Sequence, residues 1–172
     1  MDPVRELFAT NQRQALTFFI VGLQDVSEPT VDRQELLYNA SVLAHYAQAS
    51  TQSHHEWPAP ANLSEVFDHF VSDPTLLHDS TMMETAGAQC LLLAGFFEGQ
   101  MRQRHNIRWY ANLGTSFFRR AAGEASSPQK ARLLDSIARC FEPWRQRHAR
   151  LGRELREQPF LLTIAKPPAT LM

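Results

Sequence analysis

Seven histidines, two cysteines, a few carboxylates near an apolar run and a late band of arginines are the residues of this chain that chemistry could use. A zinc site needs dense ligand spacing, with two imidazoles one helical turn apart or paired thiolates. His45, His54, His55, His69, His78, His105 and His148 form no HxxxH or HExxH pair, and no CxxC accompanies them. His54 and His55 are adjacent, so a short loop cannot easily turn both to one ion. His148 falls on an apolar helical stripe and reads as a core histidine. Acid–base work needs two groups held in a cleft with displaced pKa values. Asp79, Glu84 and Glu98 flank the central apolar run, where helix ends and solvent contacts are their ordinary roles. No GxGxxG, GxxxxGK[ST] or GxSxG occurs, and Gly114-Thr115-Ser116 lies in a helical pattern without the strand a nucleophile elbow needs. The chain therefore offers no catalytic residue, cofactor site or metal site, and is expected not to be an enzyme.

The arginines suggest recognition instead. Arg102, Arg104, His105, Arg108, Trp109 and Tyr110 place cations beside aromatics, and Arg145, Arg147, Arg150, Arg153 and Arg156 form a second basic face. Trp, Tyr and Arg dominate interface energetics. The candidate partner-binding residues are accordingly Arg102, Arg104, Arg108, Trp109, Trp144, Arg147 and Arg150. The expected partner is another protein or a second copy of this chain as a homodimer. A nucleic acid is the alternative, since basic patches attract phosphates. Against it, the chain shows no helix-turn-helix pattern and carries a net charge of −1.

That net charge hides an asymmetry. Residues 1–99 carry 13 acidic side chains and three basic ones (Arg5, Arg13, Arg33), whereas residues 100–172 carry five acidic and 14 basic. The halves can neutralise each other within one fold, or meet charges elsewhere.

Helices must position these groups. Asp2-Pro3 is a helix-start signal. Leu16, Phe19, Ile20 and Leu23 fit a helix, while Phe18-Phe19-Ile20-Val21 fits a strand equally well, so residues 15–23 stay open between the two. Asp32 with Glu35 resembles a capping box and starts a helix to about Ala49. Residues 50–61 read as a loop, Asn62 with Glu65 opens a short helix, and Asp73-Pro74 starts another. Met82 to Phe97 is apolar on nearly every face, which belongs at the centre of a domain. Gly95 or Gly99 is expected to end it. Asn106 caps an amphipathic helix that buries Ile107, Tyr110, Ala111, Gly114, Phe117, Phe118 and Ala121, and Gly123 closes it. Ser127-Pro128 starts a last long helix whose apolar stripe runs to Leu155, with Pro143 bending it from the outer side.

The expected architecture is all-α: one bundle of six or seven helices over residues 1–158 around the apolar helix 82–97, followed by a Pro-rich apolar tail, 159–172. Cys90 and Cys140 sit in apolar helical patterns and read as buried free thiols in a reducing compartment. Met1 to Leu7 shows no secretory signal, and the 13 uncharged residues between Glu84 and Glu98 fall short of a membrane span, which takes about 20. A soluble cytoplasmic protein is expected.

Residues 84–123 resemble a family of small all-helical proteobacterial proteins whose activity is not established. The resemblance is carried by Gly95-Phe96-Phe97, the basic connector with Arg102 and Arg104, Trp109-Tyr110, Gly114 and Phe117-Phe118. It extends loosely over residues 33–157. The sequence departs from the family at Glu98, where such proteins have Pro. The resemblance implies an all-α bacterial cytoplasmic protein. By analogy with other small helical proteins it suggests a regulator, such as an antiactivator that sequesters a transcription factor.

Overall fold

Four short polar side chains do the work of starting helices. Asp32 Oδ1 accepts from the Glu35 amide at 3.0 Å, Asp79 Oδ1 from Met82 at 3.1 Å, Asn106 Oδ1 from Trp109 at 3.2 Å and Ser127 Oγ from Lys130 at 3.4 Å. Each satisfies an amide that the first turn leaves without an intrahelical partner. The computed structural model describes residues 12–52, 78–102 and 106–157. Its elements are α1 (Gln12–Asp25), α2 (Arg33–Gln52), α3 (Ser80–Leu91), a π-helical segment (Leu92–Phe96), α4 (Glu98–Met101), α5 (Ile107–Gly123), α6 (Pro128–Arg139) and α7 (Phe141–Glu157). Among the described residues there is no strand, and the all-α expectation is borne out. The stretch 15–23, open between helix and strand, is helix. The expected loop over 50–61 begins late, since α2 runs on to Gln52; the rest of it, and the expected elements at Asp2-Pro3, from Asn62, at Asp73-Pro74 and in the tail 159–172, lie outside the described residues.

The chain divides into two compact units, residues 1–57 with 150–172, and residues 58–149. In the first, α1 and α2 pair through the short turn around Pro29. Ala15, Phe19 and Leu23 of α1 and Leu36, Ala40, Leu43 and Ala47 of α2 are buried. Asn39 is buried with them and donates from Nδ2 to Glu35 O at 2.8 Å, so its polar end costs little. Gly22 admits Leu151, whose Cδ1 would lie 2.9 Å from a Cβ built there.

In the second unit the apolar run takes the central place expected of it. Met83, Ala86, Cys90, Leu91, Leu92, Leu93, Ala94 and Phe97 are all buried. Each Leu so enclosed contributes about 1.5–3 kcal/mol. The helix α3 packs on α5, and α5 on α6. Two glycines set the first of these distances. A Cβ on Gly87 would lie 2.9 Å from the Phe118 ring, and one on Gly114 would lie 2.6 Å from Phe141 Cζ and 2.8 Å from Cys90 Cβ.

Two expectations are corrected. Neither Gly95 nor Gly99 ends the central helix. It widens instead into the π segment, where the Phe97 amide bonds Leu92 O at 2.9 Å, and resumes as α4 after Phe97. No described glycine has the positive φ of a left-handed cap. The last long helix is two helices, broken at Cys140. Pro143 is the third residue of α7. Its missing N–H belongs to the turn that has no intrahelical acceptor, so it bends nothing.

Candidate functional site

The π segment creates the most elaborate polar arrangement among the described residues. A widened turn takes backbone carbonyls out of the regular ladder. Here Ala94 O accepts from Arg145 Nη1 of α7 at 3.1 Å. The same Nη1 donates to Glu98 Oε2 at 2.7 Å. Arg145 Nη2 and Nε donate to Glu142 Oε1 and Oε2 at 2.6 and 2.8 Å, a bidentate pair. Four of the five guanidinium N–H groups are thus committed. Arg102, at the end of α4, completes the set by pairing with Glu98 Oε1.

Burial ranks these four groups. The Glu98 and Arg145 side chains are 9% and 13% exposed, whereas Glu142 and Arg102 are 53% and 70% exposed. The hydrogen bonds from Arg145 hold the Glu142 carboxyl below the usual carboxylate range, and the bonds to Glu142 and Glu98 hold the Arg145 guanidinium above its ordinary value. Gly95 makes the approach possible: a Cβ there would lie 2.8 Å from His148 Cβ and 3.1 Å from Arg145 O. His148 is fully buried, and burial pushes its imidazole down to about 3, so it is neutral at physiological pH. Burial likewise pushes the Cys90 thiol up to about 12, which makes it inert as a nucleophile.

The residues that the sequence puts forward differ in their surroundings. Arg108 and Trp109 lie exposed in the first turn of α5, with Trp109 set edge-on to Tyr110 at 4.9 Å between ring centroids. Arg102 is exposed but bound to Glu98. Arg104 lies outside the described residues. Trp144 is not presented to a partner: it is 1% exposed, in the core, with the Arg147 guanidinium 4.5 Å from its ring centroid. The apolar stripe that carries Trp144 outweighs its polar sequence neighbours. Arg150 is exposed and pairs with Glu154 at 3.2 Å.

Sequence reasoning missed the Glu98–Arg145–Glu142 arrangement. Its one local signal is the Glu142–Arg145 spacing of three, which faces the two side chains on a helix. Nothing in the sequence marks the π segment that supplies the carbonyl. The charge asymmetry is partly neutralised within the second unit, where Glu84 pairs with Lys130 at 3.0 Å and Glu98 with Arg102 and Arg145. Among the described residues no cluster of three His, Cys, Asp or Glu could hold a metal ion, and no helix is long and apolar enough to cross a membrane. No family model, curated protein or solved structure matches this chain.

Proposed function

We propose that this chain is a non-enzymatic regulator or adaptor that acts by binding another protein in the cytoplasm, in the manner of an antiactivator that sequesters a transcription factor. The observation that carries the reading is Trp109. Its side chain stands 49% exposed in a helix start fixed by Asn106, with the exposed Arg108 beside it. Trp and Arg are among the residue types enriched at the energetic hot spots of interfaces. The buried ionisable groups nearby are held in one state: the Cys90 thiol stays protonated, His148 stays neutral, and Arg145 is tied to two carboxylates. Such groups suit a rigid scaffold better than proton transfer.

The test is affinity purification from the native host with the wild type and with Trp109→Ala/Arg108→Glu, each with and without nuclease, read by mass spectrometry. A protein partner that survives nuclease and disappears with the double variant is the expected result. Equal recovery by both forms overturns the reading.

The nucleic-acid reading draws on α5, which carries Arg108, Arg119 and Arg120 and no carboxylate. It is weakened by Arg139, Arg145, Arg150 and Lys130, whose charges are met by Asp135, Glu142, Glu154 and Glu84. A low-salt gel shift that Arg108→Glu/Arg119→Glu abolishes would put it in first place.

A further inference from the structure

Two surfaces of this chain are each dominated by one sign of charge beside exposed apolar side chains. The first is the outer face of α5. Arg108, Trp109, Asn112, Ser116, Arg119 and Arg120 are its exposed side chains before Gly123, and the helix has no acidic residue from Ile107 to Gly123. At about 3.6 residues per turn, Arg108 and Arg119 fall within about 20° of one another, as do Trp109 and Arg120. They form two edges of one face about 17 Å long, with Asn112 and Ser116 between them. The second surface is the connection between α1 and α2. Asp25, Glu28 and Asp32 are exposed there against one exposed cation, Arg33, at the start of α2. Val21 and Leu37, 50% and 38% exposed, lie four residues before the end of α1 and four after the start of α2. One surface offers guanidinium groups around an indole, the other carboxylates around aliphatic side chains.

We propose that these surfaces meet between two copies of the chain, the arginine–tryptophan face of α5 on one copy receiving the acidic α1–α2 turn of the other. This rests on the reading of a protein-binding regulator and names a second copy as a partner. Made reciprocally, the contact closes a twofold dimer. Opposite charge steers the two surfaces together, and α5 against α5 or turn against turn is repelled, which sets the orientation. A second copy is favoured over a nucleic acid because the chain itself carries the complementary acidic surface, with exposed aliphatic side chains for the indole to cover, which a phosphate backbone does not offer.

The wild type is first measured by light scattering across a concentration series in about 50 mM and about 500 mM salt. Dimer is expected at low salt, with association at least about tenfold weaker at high salt. Two charge-reversed variants follow, Asp25→Lys/Glu28→Lys and Arg108→Glu/Arg119→Glu/Arg120→Glu, each checked for its helical signal by circular dichroism. Asp32 is left alone because it caps α2. Each variant alone presents like charges at both contacts and is expected to be monomeric. Mixed one to one, they present opposite charges at both contacts and are expected to re-form the dimer. A wild type that stays monomeric at low salt overturns the proposal, as does a mixture that stays monomeric or a variant that dimerises as the wild type does. Such a failure leaves the Trp109→Ala/Arg108→Glu capture experiment standing, because that experiment reads a foreign partner.

Discussion

Gly114 and Gly123 sit on the same helix and answer differently to the same added methyl. At Gly114 a Cβ would press on Phe141 and Cys90 at 2.6 and 2.8 Å, while at Gly123 nothing lies within 4 Å. Overpacking a closed core costs about 1–3 kcal/mol. Filling an open helical position gains about 0.5–1 kcal/mol, because Gly loses the most backbone freedom on folding. Urea unfolding should therefore show Gly114→Ala destabilised and Gly123→Ala slightly stabilised, with the same slope against denaturant. Opposite signs in one helix test the packing, since helix propensity alone predicts a gain at both positions. The burial of Gly114 was legible in its place on the apolar stripe of residues 107–121. Its contact with a ring from α7 was not, because periodicity reports which face is inward and says nothing of what meets it.

The tie between the π segment and α7 belongs to the scale of elements. Arg145 joins Ala94 O and Glu98 on one side to Glu142 on the other. Arg145→Met keeps the aliphatic stem but leaves the Glu98 carboxylate with Arg102 as its one remaining ion-pair partner of the two described. Breaking a buried pair in this way costs about 3 kcal/mol, less where a second partner stays. Arg145→Lys should recover little, since one ammonium lacks the planar fork that serves two carboxylates and a carbonyl. Hydrogen exchange should show faster protection loss at the amides of residues 94–102 in both variants, and unchanged exchange there would contradict the arrangement. The helix starts at Asp32, Asn106 and Ser127 were legible, because capping is local chemistry written in adjacent residues. The break at Cys140 was not. The stripe from Ala131 to Leu155 keeps its spacing across it, so two helices and one helix present the same pattern. Trp144 was misplaced for a related reason: its charged neighbours in sequence lie on other faces of α7, while the indole points inward.

For the molecule as a whole, one buried imidazole ties stability to pH. His148 takes up a proton near pH 6.5 when unfolded and near pH 3 when folded, because burial opposes the charge. Between those values the unfolded chain binds the extra proton. Stability is then full above about pH 6.5 and falls as the pH drops below it, by up to about 1.4 kcal/mol per unit. Urea midpoints at pH 7.5, 6.5, 6 and 5 should trace this decline. His148→Met, of similar volume and without a titrating group, should flatten it, and an equally steep profile in that variant would assign the slope elsewhere. Restricting the comparison to pH 5 and above keeps Glu142, held below the usual carboxylate range, from contributing. The all-helical architecture was legible at this scale from apolar spacing alone. The candidate interface was legible only in part: Arg108 and Trp109 stood out by type and position, whereas the carboxylate-free length of α5 passed unnoticed, because what marks it is an absence. The acidic and basic halves were visible, yet which cations are cancelled depends on the fold, and Lys130 meeting Glu84 is not written in any local pattern.

Arg102, Glu98, Arg145 and Glu142 alternate in sign, and their two ends lie in water while the middle pair lies in the interior. Removing the positive charge of Arg102 leaves Glu98 with Arg145 as its remaining ion partner of the two described, and Arg145 also holds Glu142 in α7, three helices further along the chain. The charge of Arg102 is thus linked to the start of α7 through two shared partners, Glu98 and Arg145.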